Sequence, residues 1–216
     1  MHCTLEGNDS MVKFNPISLT GKWKQGYALD FHTVKSEFLG YDDLGHKIFE
    51  THRTDIGELL YRLKYKADKS VIDQITEAAV CFIKNTWKIS DRIQIIISIP
   101  PSNTHRKFQP VSAVASSVAL QLGIELCDNS VMKVKDTLQI KNIPEYQKRL
   151  ELLREAFTVD ISKITGKTIL LFDDLYRSGA TANAISDTIH AADTIHANDH
   201  TVEIYYLSLT RTRTIR

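Results

Sequence analysis

Two adjacent acids, Asp173 and Asp174, are followed by Leu175, Tyr176 and Arg177 and then by Ser178, Gly179, Ala180 and Thr181. The apolar run Lys167–Phe172 before them predicts a buried strand, and the residues from Ala180 to about Ala192 predict a helix. The acids and the short loop therefore fall at a strand-to-helix turn. Such a turn suits a phosphate, because unpaired amides and the positive end of the helix dipole face it, glycine permits close backbone approach, and hydroxyls add donors. Two carboxylates cannot hold that same phosphate, but they can accept hydrogen bonds from sugar hydroxyls, so pair and loop together suit a ribose 5-phosphate. A plainer arrangement uses the same residues: the acids end a strand, and Ser178 or Thr181 caps the next helix. A phosphate cradle predicts that a side chain at Gly179 harms ligand binding more than folding.

The elements that must position this turn are legible from periodicity. Ile93–Ile99 is a near-continuous apolar run rich in β-branched residues, as in a strand buried on both faces of a parallel sheet, and Pro100-Pro101 ends it. Val111–Leu122 predicts a helix closed by Gly123, with short strands near 124–126 and 131–134. Val202–Leu209 predicts a final strand. Earlier, Tyr27–Val34 and His46–His52 alternate and predict a β-hairpin with a long loop. Thr54–Lys66 predicts an amphipathic helix, and a second, capped by Ser70, carries one stripe to near Trp87. The polar stretch 135–143 reads as a lid-like loop, with a helix from Pro144 to about Phe157. Asp187–Ala192 is nearly duplicated by Asp193–Asn198. A six-residue offset turns an α-helix by roughly 240° net, so the copies cannot share a buried face and the helix is expected to end soon after the first. The β-α-β order predicts an α/β fold with a parallel central sheet flanked by helices and ligands at the carboxyl ends of its strands.

Composition narrows the remaining classes. A length of 216 residues, 43% of them hydrophobic and 25% charged, fits one soluble globular unit. A net charge of +1 gives no bulk argument for a nucleic-acid or membrane partner. Residues 1–20 show no basic start followed by an apolar stretch, so no signal peptide is expected, and no run spans a bilayer. Cys3, Cys81 and Cys127 are odd in number and far apart, which predicts neither a disulfide framework nor a zinc site and favours a reducing cytoplasm. His190, His196 and His200, with Asp193 and Asp199, are spaced too widely for one helical face and read as a solvated helix end. Arg211, Arg213 and Arg216 read mainly as solubilising tail charges.

Ile169–Thr181 resembles the signature of the type I phosphoribosyltransferases, which bind phosphoribosyl pyrophosphate (PRPP): four apolar residues, two acids, two further residues, then a small hydroxyl-glycine loop. The resemblance implies that Asp173 and Asp174 hold the ribose hydroxyls, as the catalytic pair, while Arg177, Ser178, Gly179, Ala180 and Thr181 wrap the 5-phosphate. Arg177 departs from the family pattern, which has a small hydroxyl residue there. Within the superfamily the chain is most similar to the ComF-like group associated with DNA uptake, through Tyr61–Tyr65, Ser98–Ser102, Arg106–Val111, Arg149, Arg154–Phe157 and Leu207–Thr212. Lys107 replaces that group's glycine, and a cysteine-rich zinc ribbon is missing, since only Cys3 lies in that region.

The resemblance implies a pyrophosphate cradle in the loop after the earlier strand, with Pro100, Pro101, Ser102 and Arg106, assisted by Thr104 and His105, and a weaker phosphate role for Lys64. The opening segment through about Pro16, rich in Gly, Asn, Asp and Ser and poor in apolar residues, reads as a loosely attached arm, set within an N-terminal arm over 1–20, and the resemblance implies a phosphoribosyltransferase-like domain over 21–216 with a small N-terminal β-hairpin or hood formed partly by 21–66. The expected activity is transfer of ribose 5-phosphate to a nitrogen acceptor, with Mg²⁺ carried by PRPP, no metal held directly by the chain and no zinc. The alternative is a non-catalytic nucleotide sensor or single-stranded-DNA-associated protein that keeps the PRPP pocket, with DNA or a protein as partner and no membrane.

Overall fold

The structure is a computed structural model that describes residues 12–101, 108–135, 145, 148, 151–153, 155–196 (His196 by its backbone) and 201–213. Its strands are β1 (Ile17–Ser18), β2 (Gln25–Phe31), β3 (Thr33–Tyr41), β4 (Lys47–Arg53), β5 (Ile95–Ser98), β6 (Glu125–Leu126), β7 (Val131–Lys133), β8 (Phe157–Val159), β9 (Thr168–Tyr176) and β10 (Glu203–Arg211). The helices named below are α1 (Asp55–Tyr65), α2 (Ile72–Cys81), α3 (Pro110–Leu122) and α4 (Ala180–His196).

Six strands make the central sheet in the order β1-β2-β10-β9-β5-β6, and every neighbouring pair is parallel except β1–β2. The fold is α/β with a mostly parallel sheet flanked by helices. Consecutive residues of a strand face opposite sides, and here both sides are covered. Leu170, Phe172, Leu207 and Leu29 pack with α1, α2 and α3 on one face. Ile169, Leu171, Ile204 and Tyr206 pack with Ala184, Ile185 and Ile189 of α4 on the other. Each such aliphatic side chain contributes about 1.5–3 kcal/mol when fully buried, so β9 and β10 anchor the fold.

Several boundaries differ from those the sequence predicts. Tyr27 to Phe31 belong to the central sheet, and the hairpin is β3–β4 instead, because Ala28 and Leu29 are both fully buried and need cover on both faces. Residues 12–20, expected in a loose arm, are packed: Phe14 is buried edge-on against Phe82, and Leu19 is buried beside Ala28. Asp68, not Ser70, caps the turn before α2 by accepting from Ser70 N at 3.1 Å, and α2 gives way to a π-helical turn over Phe82–Trp87. Phe157 lies in β8, so a helix from Pro144 cannot include it; most of 136–150, the expected lid among them, lies outside the described residues.

α4 runs into the second copy of the repeat, as far as His196. The 240° rotation holds, since Ile189 is buried and its counterpart Ile195 is 79% exposed, but helical hydrogen bonding continues without a buried face. Asp193 secures the last turn by accepting from Val202 N at 2.9 Å. Cys81 is disulfide-bonded, against the expectation of unpaired cysteines, while Cys127 is free and buried. Sequence spacing carries no information on Cα separation in the fold, which alone decides pairing. The argument for a reducing compartment therefore falls away. Among the described residues, no helix is long and apolar enough to cross a membrane.

The junction between β2 and α1 is tight. Thr54 caps α1 by accepting from Gly57 N at 3.1 Å, and its hydroxyl donates to Phe31 O at 2.6 Å. A Cβ on Gly57 would lie 2.1 Å from the carbonyl oxygen of His32, a backbone atom that cannot rotate away. Gly57→Ala should therefore lower stability by about 1–3 kcal/mol although alanine favours helix, and a rise in unfolding midpoint in denaturant would contradict this packing.

Candidate functional site

The connection from β5 to β6 passes through α3 on one face of the sheet, and that from β9 to β10 passes through α4 on the other. Neighbouring strands β5 and β9 thus send their chains in opposite directions, which opens a crevice at their carboxyl ends, where ligands of open α/β sheets bind. Two segments flank it: the proline segment after β5 and Arg177–Thr181 after β9. Ile99 N donates to Phe172 O at 2.8 Å, so Pro100 and Pro101 begin next to Asp173. Asp128 fixes this corner, accepting from Ser98 N at 3.0 Å and Ser98 Oγ at 2.7 Å, and from Ser112 Oγ of α3. Ser102, Thr104, His105 and Arg106 lie outside the described residues, as does Arg149.

Asp173 and Asp174 lie inside β9, which continues to Tyr176; they do not terminate the strand at Phe172 as expected. Strand geometry aims them to opposite faces, and each has its own partner. Tyr206 Oη donates to Asp173 Oδ2 at 2.8 Å, and Trp23 stacks on the Tyr206 ring at 4.5 Å. Burial, followed by the neighbouring Asp174 charge, raises the Asp173 pKa to about 7, against the opposing pull of the Tyr206 hydroxyl. Burial, then the Asp173 charge, pushes the Tyr206 phenol well above its usual value. Asp174 Oδ2 accepts from Lys64 Nζ at 2.5 Å. Lys64 was expected at the pyrophosphate; the end of α1 places it on the second acid instead.

The loop turns through a left-handed glycine before α4. Gly179 sits at φ +72°, and its carbonyl accepts from Asn183 N at 2.8 Å, which starts α4. Arg177 is exposed, Ser178 and Thr181 are half-buried, and Ala180 is buried. A Cβ at Gly179 would meet the Tyr176 ring at 2.7 Å. Replacing Gly179 is therefore costly to folding as well as to a ligand, contrary to the simpler expectation, because the left-handed φ and the ring contact exist without one.

Three groups of the crevice carry no motif. Tyr206 reads in the sequence as one more residue of a buried strand, and Asp128 as a turn acid. His32 stands at the end of β2, where its Nδ1 lies 3.3 Å from Thr210 Oγ1, which in turn donates to Asp174 O at 2.9 Å. Since the threonine proton is already used, Nδ1–H is the donor, and Nε2 keeps its lone pair. Burial, then the charges of Arg53 and Lys64, holds the imidazole pKa below its usual value, so His32 is neutral near pH 7.

Of the late histidines and their acids, only His190 and Asp193 have described side chains. His190 Nε2 is 3.4 Å from Lys22 O, Asp193 is buried on Val202, and the His196 side chain with residues 197–200 lies outside the described residues. Among the described residues, no three His, Cys, Asp or Glu side chains gather as a metal site.

No protein-family model matches the sequence, and no curated protein matches it. Similar solved structures include an adenine phosphoribosyltransferase, 12% identical, covering 82% of this chain and 86% of that one with a TM-score of 0.44. Another is the adenine phosphoribosyltransferase of Saccharomyces cerevisiae with an imino-altritol bisphosphate and adenine, 12% identical over 81% and 83% of the chains, TM-score 0.41. The enzyme of Leishmania tarentolae is 12% identical over 90% and 94%, TM-score 0.38. Values this low carry no argument about the chemistry of this chain.

Between pH 3.8 and about 7 the folded chain keeps a proton on Asp173 that the unfolded chain has released, so this group costs stability as pH rises through that window. Asp173→Asn, which still accepts from Tyr206, should flatten the fall of Tm across it relative to wild type. Parallel Tm–pH curves for the two proteins would show that Asp173 does not titrate there.

Proposed function

We propose that the chain binds PRPP across the β5–β9 crevice and transfers ribose 5-phosphate to a nitrogen acceptor with release of pyrophosphate. The observation that carries this reading is the pairing of a topological switch point with a left-handed Gly179 just before α4, in the loop that follows the two acids of β9. Arg177–Thr181 would hold the 5-phosphate through loop amides, the helix dipole and the hydroxyls of Ser178 and Thr181. Asp173 and Asp174 would accept from the ribose hydroxyls; Lys64 then shares Asp174 with the sugar and tempers its charge. Pro100 and Pro101 would border the pyrophosphate, with Ser102 and Arg106 as further donors.

In the reaction the bond from the anomeric carbon to the pyrophosphate oxygen breaks, and the electron pair leaves with pyrophosphate. A nitrogen lone pair forms the new bond from the opposite side, and its proton, where it has one, is lost to a base. Mg²⁺ carried by PRPP would supply the counter-charge of the departing pyrophosphate, with no metal held directly by the chain and no zinc required. Catalysis rests on positioning and on compensation of charge at the sugar and the leaving group. The ordered matches from Tyr61 to Thr212 favour a ComF-like relationship within the phosphoribosyltransferases.

Thermal unfolding with PRPP and Mg²⁺ tests the reading. Ligand at a hundredfold excess over its Kd adds about 2.7 kcal/mol, which is several degrees for a domain of this size. Thr181→Val, nearly isosteric but without the hydroxyl, should reduce the shift. No shift at millimolar PRPP would remove the proposal, whereas a shift without pyrophosphate release, with every acceptor offered, would favour the nucleotide-sensing alternative.

A further inference from the structure

Exposed apolar side chains collect on the β3–β4 hairpin, where Phe38, Leu39, Tyr41, Leu44 and Phe49 all face solvent. Among the described residues, β3 and β4 pair with each other and with no strand of the central sheet. A two-stranded hairpin with nothing packed on it is marginal in water. This one calls for a covering layer.

Its two faces differ. Opposed residues of an antiparallel pair share a face, and successive residues alternate between faces. Phe38 stands opposite Phe49 with ring centroids 5.6 Å apart, and the Tyr41 ring lies 5.2 Å from that of Phe38. Ser36 and Thr51 continue this face, their hydroxyls 3.0 Å apart. The reverse face carries Lys35 with Glu37 at 2.8 Å and His52 with Glu50 at 3.4 Å. There Glu37 is directly opposite Glu50, a like-charge pair that weakens the ribbon. Cohesion therefore rests on the aromatic face, yet Phe38 is 50% exposed, Phe49 51% and Tyr41 62%.

Charge and area point to the occupant. From Thr33 to Arg53 three cations, Lys35, Lys47 and Arg53, stand against four acids, Glu37, Asp42, Asp43 and Glu50. Such a balance attracts neither nucleic-acid phosphates nor an anionic membrane, and it offers no field to a strongly charged protein. A second copy of the same hairpin meets it without repulsion, and a two-fold axis lets one patch serve both sides. The three rings, with Leu39 and Leu44 from the bulge and the turn, offer roughly 500 Å² of apolar surface per protomer, so two copies bury about 1,000 Å², the lower limit of a specific interface. Edge-to-edge strand addition is disfavoured, because irregularities interrupt β3 between Thr33 and Lys35 and between Phe38 and Gly40.

We propose that the chain self-associates through an isologous contact between the aromatic faces of two β3–β4 hairpins. The small area makes this a weak dimer, with a Kd on the order of 10 µM. The charged faces point outward, where Lys35–Glu37 and His52–Glu50 stay in water.

Sedimentation velocity of the full chain between about 1 and about 200 µM should show a reversible monomer–dimer equilibrium. Phe38→Thr and Phe49→Thr, which keep a β-branched residue suited to a strand, should each raise the dimer Kd about tenfold or more. Glu50→Gln, on the reverse face, should leave it unchanged. Amide hydrogen exchange of the unaltered chain guards against misfolding of the threonine variants: protection over residues 33–53 should rise with protein concentration. A chain that stays monomeric throughout the concentration range, or whose exchange over 33–53 ignores concentration, would overturn the proposal. A dimer unmoved by both threonine variants, or weakened as much by Glu50→Gln, would place the interface elsewhere and overturn it too. So would binding of the monomeric chain to neutral phosphatidylcholine vesicles that is lost in Phe38→Thr, which would assign the aromatic face to a lipid surface.

Discussion

Everything at the crevice depends on β9 being hydrogen-bonded in parallel on both sides. Its pairing with β5 reaches Phe172, and its pairing with β10 reaches Tyr176. Strand β9 is therefore shared over its first half by two neighbours and over its second half by one, and the divergence begins where the acids lie. Asp173 and Asp174 occupy the first positions released from β5. The apolar residues just before them, Ile169 to Phe172, are fully buried, and a slip by one place would exchange all four between the two packed faces. Register at the hydrophobic end thus sets the direction of each carboxylate at the polar end.

The two acids then become unlike groups through their surroundings. Asp173 meets a phenol under a tryptophan ring, and Asp174 meets an ammonium from α1. One is poised to share a proton near neutrality, and the other is compensated by a fixed cation. A hydroxyl-bearing ligand would encounter two acceptors of different strength, even though the sequence presents a simple doublet. Tyr206 holds this distinction in place from the middle of a neighbouring strand.

What was legible in the sequence is what depends on neighbours along the chain. The buried runs of β5, β9 and β10 stood out, as did α3, whose closing Gly123 adopts the left-handed conformation that its position suggests. The strand-to-helix turn of Arg177 to Thr181 was visible for the same reason. Hidden were contacts between distant residues: Tyr206 to Asp173, Asp128 to Ser98 and Ser112, His32 to Thr210, and the disulfide at Cys81. Alternation in Tyr27–Val34 looked like half of a hairpin because a strand with both faces buried and one with both faces exposed can share a pattern. Only the surrounding helices distinguish them. Repetition in α4 misled in the opposite sense, since a helix can outlast its apolar face when a residue such as Asp193 ties down its final turn.

Among the described residues, the strands of the β3–β4 hairpin pair with each other and not with the central sheet, and Phe38, Tyr41 and Phe49 are grouped and exposed. Its ends are closed at the root by Thr54, which bonds to Phe31 and caps α1 in the same stroke. Length and sequence beyond that clasp are uncoupled from the register of β2 and from the start of α1. Insertions, deletions or wholesale exchange of the hairpin would leave the sheet undisturbed.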